Sequence, residues 1–225
     1  MTSDIIYIEI LVEDVSGGIL IENIMKKYIS GSAKKIQYRL HSFKGIGRLP
    51  KANADPGQIK TRQILTDLPM YLKGFDRSLS ALPYAKAIFV IVDNDRRNCK
   101  SFKLELARLV SSLDLDVNVF CCLAVEEIEA WLLGDHNALL DAYPEAKKST
   151  LHTYRNDSIV GTWEVLADAI HKGGSVRLRK DSAGYYEIGK YKCEWADKIG
   201  SLLNIRENKS PSFRYFISKL DALCS

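Results

Sequence analysis

The sequence predicts an α/β fold: a mainly parallel, four-stranded sheet with flanking helices, followed by a small helical C-terminal extension. Three observations predict it. In the first 125 residues, four apolar strand-like runs alternate with stretches of helical period. That order belongs to a parallel sheet with right-handed crossovers. The first run is apolar on both faces, as a strand covered by helices on two sides is. After Val125 the strand pattern stops and short helical segments take over. The expected division is an α/β unit at 1–135 and a mostly helical unit at 136–225 packed on it.

The elements follow in order. "DIIYIEILV" (4–12) is apolar throughout apart from its acids, Asp4 and the internal Glu9, and reads as a strand. "GILIENIMKKYI" (18–29) sets Leu20, Ile21, Ile24, Met25 and Tyr28 on one helical stripe. "KIQYRLHSF" (35–43) is a weaker strand, followed by the Gly/Pro/Lys-rich loop "KGIGRLPKANADPG". "QIKTRQILTDLPMYLKGF" (58–75) has a helical period that Pro69 is expected to interrupt or kink. "AKAIFVIV" (85–92) is the strongest strand, "SFKLELARLVSSL" (101–113) a helix, and "DVNVFCCLAV" (116–125) the fourth strand. Beyond it, "EEIEAWLLGD" is a short helix stopped by Gly134, and "GTWEVLADAIHKGG" a second helix ending on two glycines. Two closing helices follow, the last opened by Ser210 as cap and Pro211 in its first position. Trp131, Trp163 and Trp195 fall at helical positions expected to face the core.

Composition narrows the class. A chain of 225 residues fits one domain, or one with a small appendage. Its 46% hydrophobic and 27% charged residues are those of an ordinary soluble protein, which sets aside fibrous and disordered classes. No run approaches the roughly 18 apolar residues of a membrane span, and "IIYIEILV" carries Glu9 and lacks a basic leader, so it reads as a strand and not as a signal peptide. The five cysteines are odd in number and form no CxxC pair; a reducing cytoplasm, without disulfides or zinc, is expected. The net charge of +4 is small, but its distribution is uneven. Lys34 to Arg62 holds eight cations against Asp55, and His171 to Lys192 six cations against Asp181 and Glu187. Such stretches suit a polyanion, and equally a solvated surface.

The chemistry concentrates at strand ends. Doubly wound sheets bind ligands beyond the carboxyl ends of their strands, where the strand order reverses. If the first and third strands are neighbours, Glu13 in "ILVEDVSGG" meets Asp93 and Asp95 in "VIVDNDRR". Carboxylates so gathered repel one another unless protons or cations intervene. A divalent ion serves well: Mg²⁺ binds through one or two carboxylates plus substrate phosphates and supports in-line phosphoryl displacement. The same acids also suit a helix cap and a turn. Past the fourth strand, "AVEEIEAWLLGD" offers Glu126, Glu127 and Glu129, of which Glu129 is the preferred further ligand; an acid-rich first helical turn is the alternative.

With "LVEDVSGG" after the first strand and "VIVDND" after the third, the chain resembles Toprim-domain proteins, the catalytic fold of topoisomerases, primases and the overcoming-lysogenization-defect nucleases. "VEEIEAWLLGD" and "KSPSFRYFISKL" resemble, more narrowly, a bacterial Toprim-like family of unknown function often encoded beside an ATPase and linked to phage defence. The resemblance implies catalytic roles for Glu13, Asp93 and Asp95. Glu13 is a metal ligand or general acid/base in it, and Asp93 and Asp95 are the metal pair holding Mg²⁺ or Mn²⁺. Asp14 stands where the pattern has Gly and Gly17 where it often has a second Glu, while Ser16 is in place. The resemblance implies a partner ATPase encoded nearby; a homodimer is a further expectation, and no membrane partner is expected.

Substrate contacts are expected from Ser16, Lys44, Arg48, Arg96, Arg97, Arg179, Lys180 and Lys190. Arg96 and Arg97 follow the acids directly and suit either a scissile phosphate or charge balance. In the last third, Arg177, Arg179, Lys180, Lys190 and Lys192 interleave with Tyr185, Tyr186 and Tyr191, a mixture that suits phosphate neutralisation and base stacking as well as plain packing. No GxxxxGK[ST] loop or GxSxG elbow occurs, and the four histidines are scattered. The expected function is metal-dependent hydrolysis of phosphodiesters in DNA or RNA. The alternative is a non-catalytic regulatory or nucleic-acid-binding subunit of an ATPase complex.

Overall fold

A computed structural model describes residues 5–50, 62–182 and 184–225. Strands β1 (Ile5–Val12), β2 (Lys35–Ser42), β3 (Ala85–Asp93) and β4 (Asn118–Ala124) form one all-parallel sheet in the order β2-β1-β3-β4. The fold is α/β and Rossmann-like. The chain runs outward from β1 to β2, then crosses back to β3, so the order reverses between β1 and β3.

Helix α1 (Val15–Ser30) starts three residues earlier than its apolar period suggests, because Asp14 caps it by accepting from the Gly17 amide at 2.7 Å. Gly17 and Gly18 therefore lie inside the helix, where it presses against the sheet. A Cβ on Gly17 would meet Val12 Cγ1 at 2.7 Å, and one on Gly18 would run into Ser42 Oγ. Helix α2 (Ile64–Leu79) runs unbroken through Pro69. The lost amide donor is outweighed by burial of Ile64, Leu65, Leu68, Leu72 and Leu79 along one stripe. Residues 51–61, which include much of the basic loop and the first four residues of the expected second helix, lie outside the described residues.

Helices α2 and α3 (Cys99–Ser111) cover one face of the sheet, where Leu11, Ile88, Val90 and Val92 point. The other face presents Ile8, Ile10, Phe89 and Ile91 to a larger core that includes α1 and the C-terminal half. There α4 (Glu129–Leu133), α5 (His136–Ala142), α6 (Lys148–Thr153), α7 (Thr162–Ile170) and α8 (Gly174–Asp181) lead to α9 (Tyr185–Gly200) and α10 (Pro211–Cys224). Helix α9 packs along α1, and α10 against β3 and β4. The closing helices thus provide the second layer over the sheet. Trp131 pins this layer: its Nε1 donates to Ser212 Oγ at 2.9 Å, its carbonyl accepts from Asn208 at 2.7 Å, and its ring stacks on Phe216. Trp131, Trp163 and Trp195 are all buried, as their positions predict. All five cysteines are free thiols. No helix among the described residues is long and apolar enough to cross a membrane.

Candidate functional site

At the reversal point the backbone itself brings the acids together. The Glu13 amide donates to the Ile91 carbonyl at 3.2 Å, extending the β1–β3 ladder one step past β1. Glu13 Oε2 then accepts from the Asp93 amide at 3.0 Å. On the other side of β3, the amides of Asn94 and Asp95 donate to the carbonyls of Ala124 and Glu126, each at 2.8 Å. The turn is closed by the fully buried Asn94, whose amide group donates to the carbonyls of Asp95 (3.3 Å) and Arg97 (2.6 Å). Asp95 takes φ 48°, a left-handed conformation that aspartate tolerates better than most residues.

Glu129, the first residue of α4, is 1% exposed, and one of its oxygens lies 3.2 Å from Lys192 Nζ. Lys192 comes from α9, is itself 16% exposed, and also approaches Glu127 at 3.8 Å. The other oxygen of Glu129 and the side-chain oxygen of Asn94 are buried without a hydrogen-bond partner. Asp14, by contrast, is committed. Besides capping α1 it accepts from Ser16 Oγ at 3.0 and 2.9 Å, which also accounts for the predicted Ser16.

The electrostatics follow from burial. Glu13 is pushed up from 4.5 to about 7, by burial first and then by Asp95 and Asp14; the Asp93 amide and Lys192 oppose this. Asp93 lies well above the ordinary carboxylate range, through burial and then Glu13. Glu127 rises to about 8 and Glu129 also rises, both mainly by burial and both restrained by Lys192. Burial alone pushes the Lys192 ammonium down, but Glu129, Glu127, Asp93 and Asp14 outweigh it and hold the ammonium above an ordinary lysine. The site is thus a nest of carboxylates with one internal cation, short of positive charge.

The structure brings Asp93 into electrostatic reach of both Glu13 and Glu129, and Asp95 into reach of Glu13. Asp95 pairs with Arg97 at 2.9 Å, both side chains being substantially exposed. An exposed pair contributes at most about 1 kcal/mol, so swinging Asp95 toward a ligand costs little. Arg97 also lies over the Phe102 ring, and Arg96 is exposed in the same turn. Lys44 and Lys190 line one cleft that Asp14 borders. Arg48 is exposed in the loop after β2, its backbone bonded to Thr66. Arg179 is engaged by Glu164 and the face of Trp163, and Lys180 is exposed in the last turn of α8.

Lys192 is the functional residue that sequence reasoning misplaced, by grouping it with surface cations. A signal was available: Ile188, Lys192, Trp195 and Ile199 share one helical stripe, and a lysine on a buried stripe needs buried acids.

The donor set can be tested against a divalent ion. Among the described residues, no group of three or more His, Cys, Asp or Glu side chains is arranged to hold a metal ion. Two adjacent carboxylates with raised proton affinity, and a buried Glu129 oxygen without a donor, suit one hydrated ion of the Mg²⁺ type, which completes its shell with water and phosphate. They do not suit a closed cage or a pair of ions. No family model, curated protein or solved structure matches the chain.

Proposed function

We propose that this protein is a Toprim-like, metal-dependent phosphodiester hydrolase acting on nucleic acid, with Glu13 and Asp93 as the residues that hold one Mg²⁺ or Mn²⁺. The observation that supports this most is the charge-deficient pair itself: Glu13 and Asp93 on adjacent strand ends, joined through the Asp93 amide at 3.0 Å. When bound, the ion would supply Lewis-acid stabilisation of phosphoryl oxygens and a coordinated water more easily deprotonated than bulk water.

The chain's own groups do the rest. Glu13 and Asp93 present negative charge from a rigid sheet edge and not from a loop, which fixes their separation. Asp95 would be the third ligand, since its exposed pair with Arg97 holds it only weakly, and Arg97 would be the guanidinium at hand for a phosphate. Lys192 restrains Glu129 and Glu127 and lowers the repulsion that gathering these acids would otherwise cost. The missing second Glu of the resembled pattern has a steric reason, since a side chain at position 17 would meet Val12. This favours one ion over two.

Incubating wild type and Asp93→Ala with DNA and with RNA, in Mg²⁺ or Mn²⁺ and with chelator, tests the proposal. Cleavage by wild type alone, abolished by chelator, is expected; cleavage by both proteins or by neither sinks it. A second reading rests on Lys192, whose ammonium already supplies positive charge among the acids, as in a non-catalytic regulatory subunit. That reading expects no cleavage and unchanged nucleic-acid binding in Asp93→Ala. The unpaired cysteines suit a cytoplasmic setting, and the narrower resemblance adds a role in phage defence with an ATPase partner, testable by co-purification of neighbouring gene products.

A further inference from the structure

A cleft of about 780 Å³ opens beside the carboxylates, between the start of α1, the segment after β2 and the first half of α9. Its walls come from three separate parts of the sequence. Val15 and Ser16 lie on one side, Phe43 and Lys44 on another, and Tyr186 and Lys190 on the third. Two of its lining residues adjoin the candidate site: Asp14, which follows Glu13 and lies within electrostatic reach of Asp93, and Cys193, which follows Lys192.

Three features define what fits there. Tyr186 is 79% exposed, an unusual state for so large an aromatic side chain. The Lys190 ammonium lies 4.9 Å from the centre of its ring, so lysine and tyrosine are presented together. Lys44, exposed on the opposite wall, adds a second cation. Among the described residues, Asp14 is the one acid lining the cleft, and its carboxylate is taken up by the Gly17 amide and the Ser16 hydroxyl, so it competes weakly for a ligand's donors. An exposed tyrosine with one cation over its ring and a second on the opposite wall supplies the elements of a single-strand platform, where phosphates are neutralised and an unstacked base lies on the remaining ring face. A duplex keeps its bases stacked and offers such a tyrosine only backbone.

We propose that this cleft binds single-stranded nucleic acid, with a base stacked on Tyr186 and the flanking phosphates held by Lys44 and Lys190, and that it leads the strand toward Glu13 and Asp93. The inference deepens the hydrolase reading by naming its substrate class, and its last clause rests on that reading; the binding clause does not.

The test is fluorescence anisotropy in chelator, where no metal-dependent cleavage occurs, using labelled oligothymidylate, oligouridylate and a mixed-sequence duplex. Wild type is expected to bind the single strands at least about tenfold more tightly than the duplex, and Tyr186→Ala to lose about tenfold, the scale of one base–aromatic stack. Tyr186→Phe is expected to bind like wild type. Lys44→Gln with Lys190→Gln is expected to flatten the dependence of log affinity on log salt by roughly 1.4, about 0.7 for each phosphate that is no longer neutralised. All three positions are exposed, and thermal melting checks that each variant is folded. Equal affinity for the duplex, wild-type binding by Tyr186→Ala, or no binding of either single strand overturns the proposal. The two oligonucleotides separate DNA from RNA. Cleavage that Tyr186→Ala leaves untouched overturns the cleft while sparing the hydrolase; tight binding without any cleavage in Mg²⁺ does the reverse.

Discussion

Glu126 and Glu129 stand three residues apart in one short segment and are both buried, yet the fold treats them in opposite ways. Glu126 Oε2 accepts from the amides of Val160 (3.2 Å), Gly161 (2.8 Å) and Thr162 (3.0 Å) and from the Thr162 hydroxyl (2.9 Å). These are donors at the start of α7, which lack partners within the helix. Glu129 has a lysine on one oxygen and nothing on the other. The first carboxylate is a tether that joins the end of the sheet to the helical layer. The second is negative charge that the fold leaves only half answered, next to Asp93. An acid-rich stretch therefore has no single meaning; the donors assigned to each oxygen decide whether it holds structure or awaits a ligand.

The contrast can be broken most directly at Glu126. Glu126→Ala strips the partner from three backbone amides and a hydroxyl, of which the Thr162 amide and hydroxyl are buried, and hydrogen bonds to a charged acceptor contribute about 1.5–3 kcal/mol each. With partial relaxation, a loss of about 4 kcal/mol is expected in urea unfolding. A loss below about 1 kcal/mol would mean that Glu126 is no tether. Lys192→Met comes next. It leaves Glu129, Glu127 and Asp93 without their common cation, and removing one partner of a buried ion pair costs about 3–5 kcal/mol. The loss is expected near the lower bound and at pH 8, shrinking toward pH 5 as the carboxylates protonate instead. A pH-independent loss would show that Lys192 matters for packing alone.

Much of this organisation was legible in the sequence because it is carried by local patterns. Four apolar runs at βα spacing point to the parallel sheet, and the reversal between β1 and β3 then places Glu13 beside Asp93 and Asp95. What escaped is non-local. The different fates of Glu126 and Glu129 depend on residues 160–162 and 192, which nothing in "EEIEAWLL" announces. Lys192 reads as one of several cations until α9 is known to lie along α1, which turns its stripe inward. Asp14 stands in "VEDVSGG" where the resembled pattern has Gly, and only the structure shows that it caps a helix starting early enough to take in Gly17 and Gly18. Pro69 does not interrupt its helix for a related reason: a propensity cost is local, whereas the burial that overrides it is set by the sheet.

A smaller effect is expected in the pH dependence of the wild type. Glu13 rises from 4.5 to about 7 and Glu127 from 4.5 to about 8 on folding. Between those limits the native state binds more protons than the unfolded chain, so stability falls as pH rises. The penalty is absent below pH 4.5, grows through the window, and is complete above about 8. Comparing wild type with a Glu13→Gln/Glu127→Gln double variant isolates these two groups from the other titrating residues. The wild type should lose more stability than the variant from pH 5 to 8. Mg²⁺ should shrink that difference if the ion binds at Glu13. Parallel pH profiles would mean that the two carboxylates are not held short of positive charge.

The smallest expected change is the one that defines the contrast most closely. Glu129→Gln keeps the shape of the side chain and an oxygen for Lys192, and removes one negative charge from beside Asp93. Losing the charge pair with Lys192 is destabilising, but Glu127 and Asp93 still face that ammonium and repulsion with Asp93 is relieved, so stability should fall by only about 1–2 kcal/mol, less than in Lys192→Met. Because Glu129 is one of the groups that raise Asp93, the same substitution should make Asp93 easier to ionise, which carboxyl-carbon NMR titration reads directly. A loss as large as that of Glu126→Ala would make Glu129 a second tether, and the charge at the end of β3 would then belong to the scaffold and not to a site.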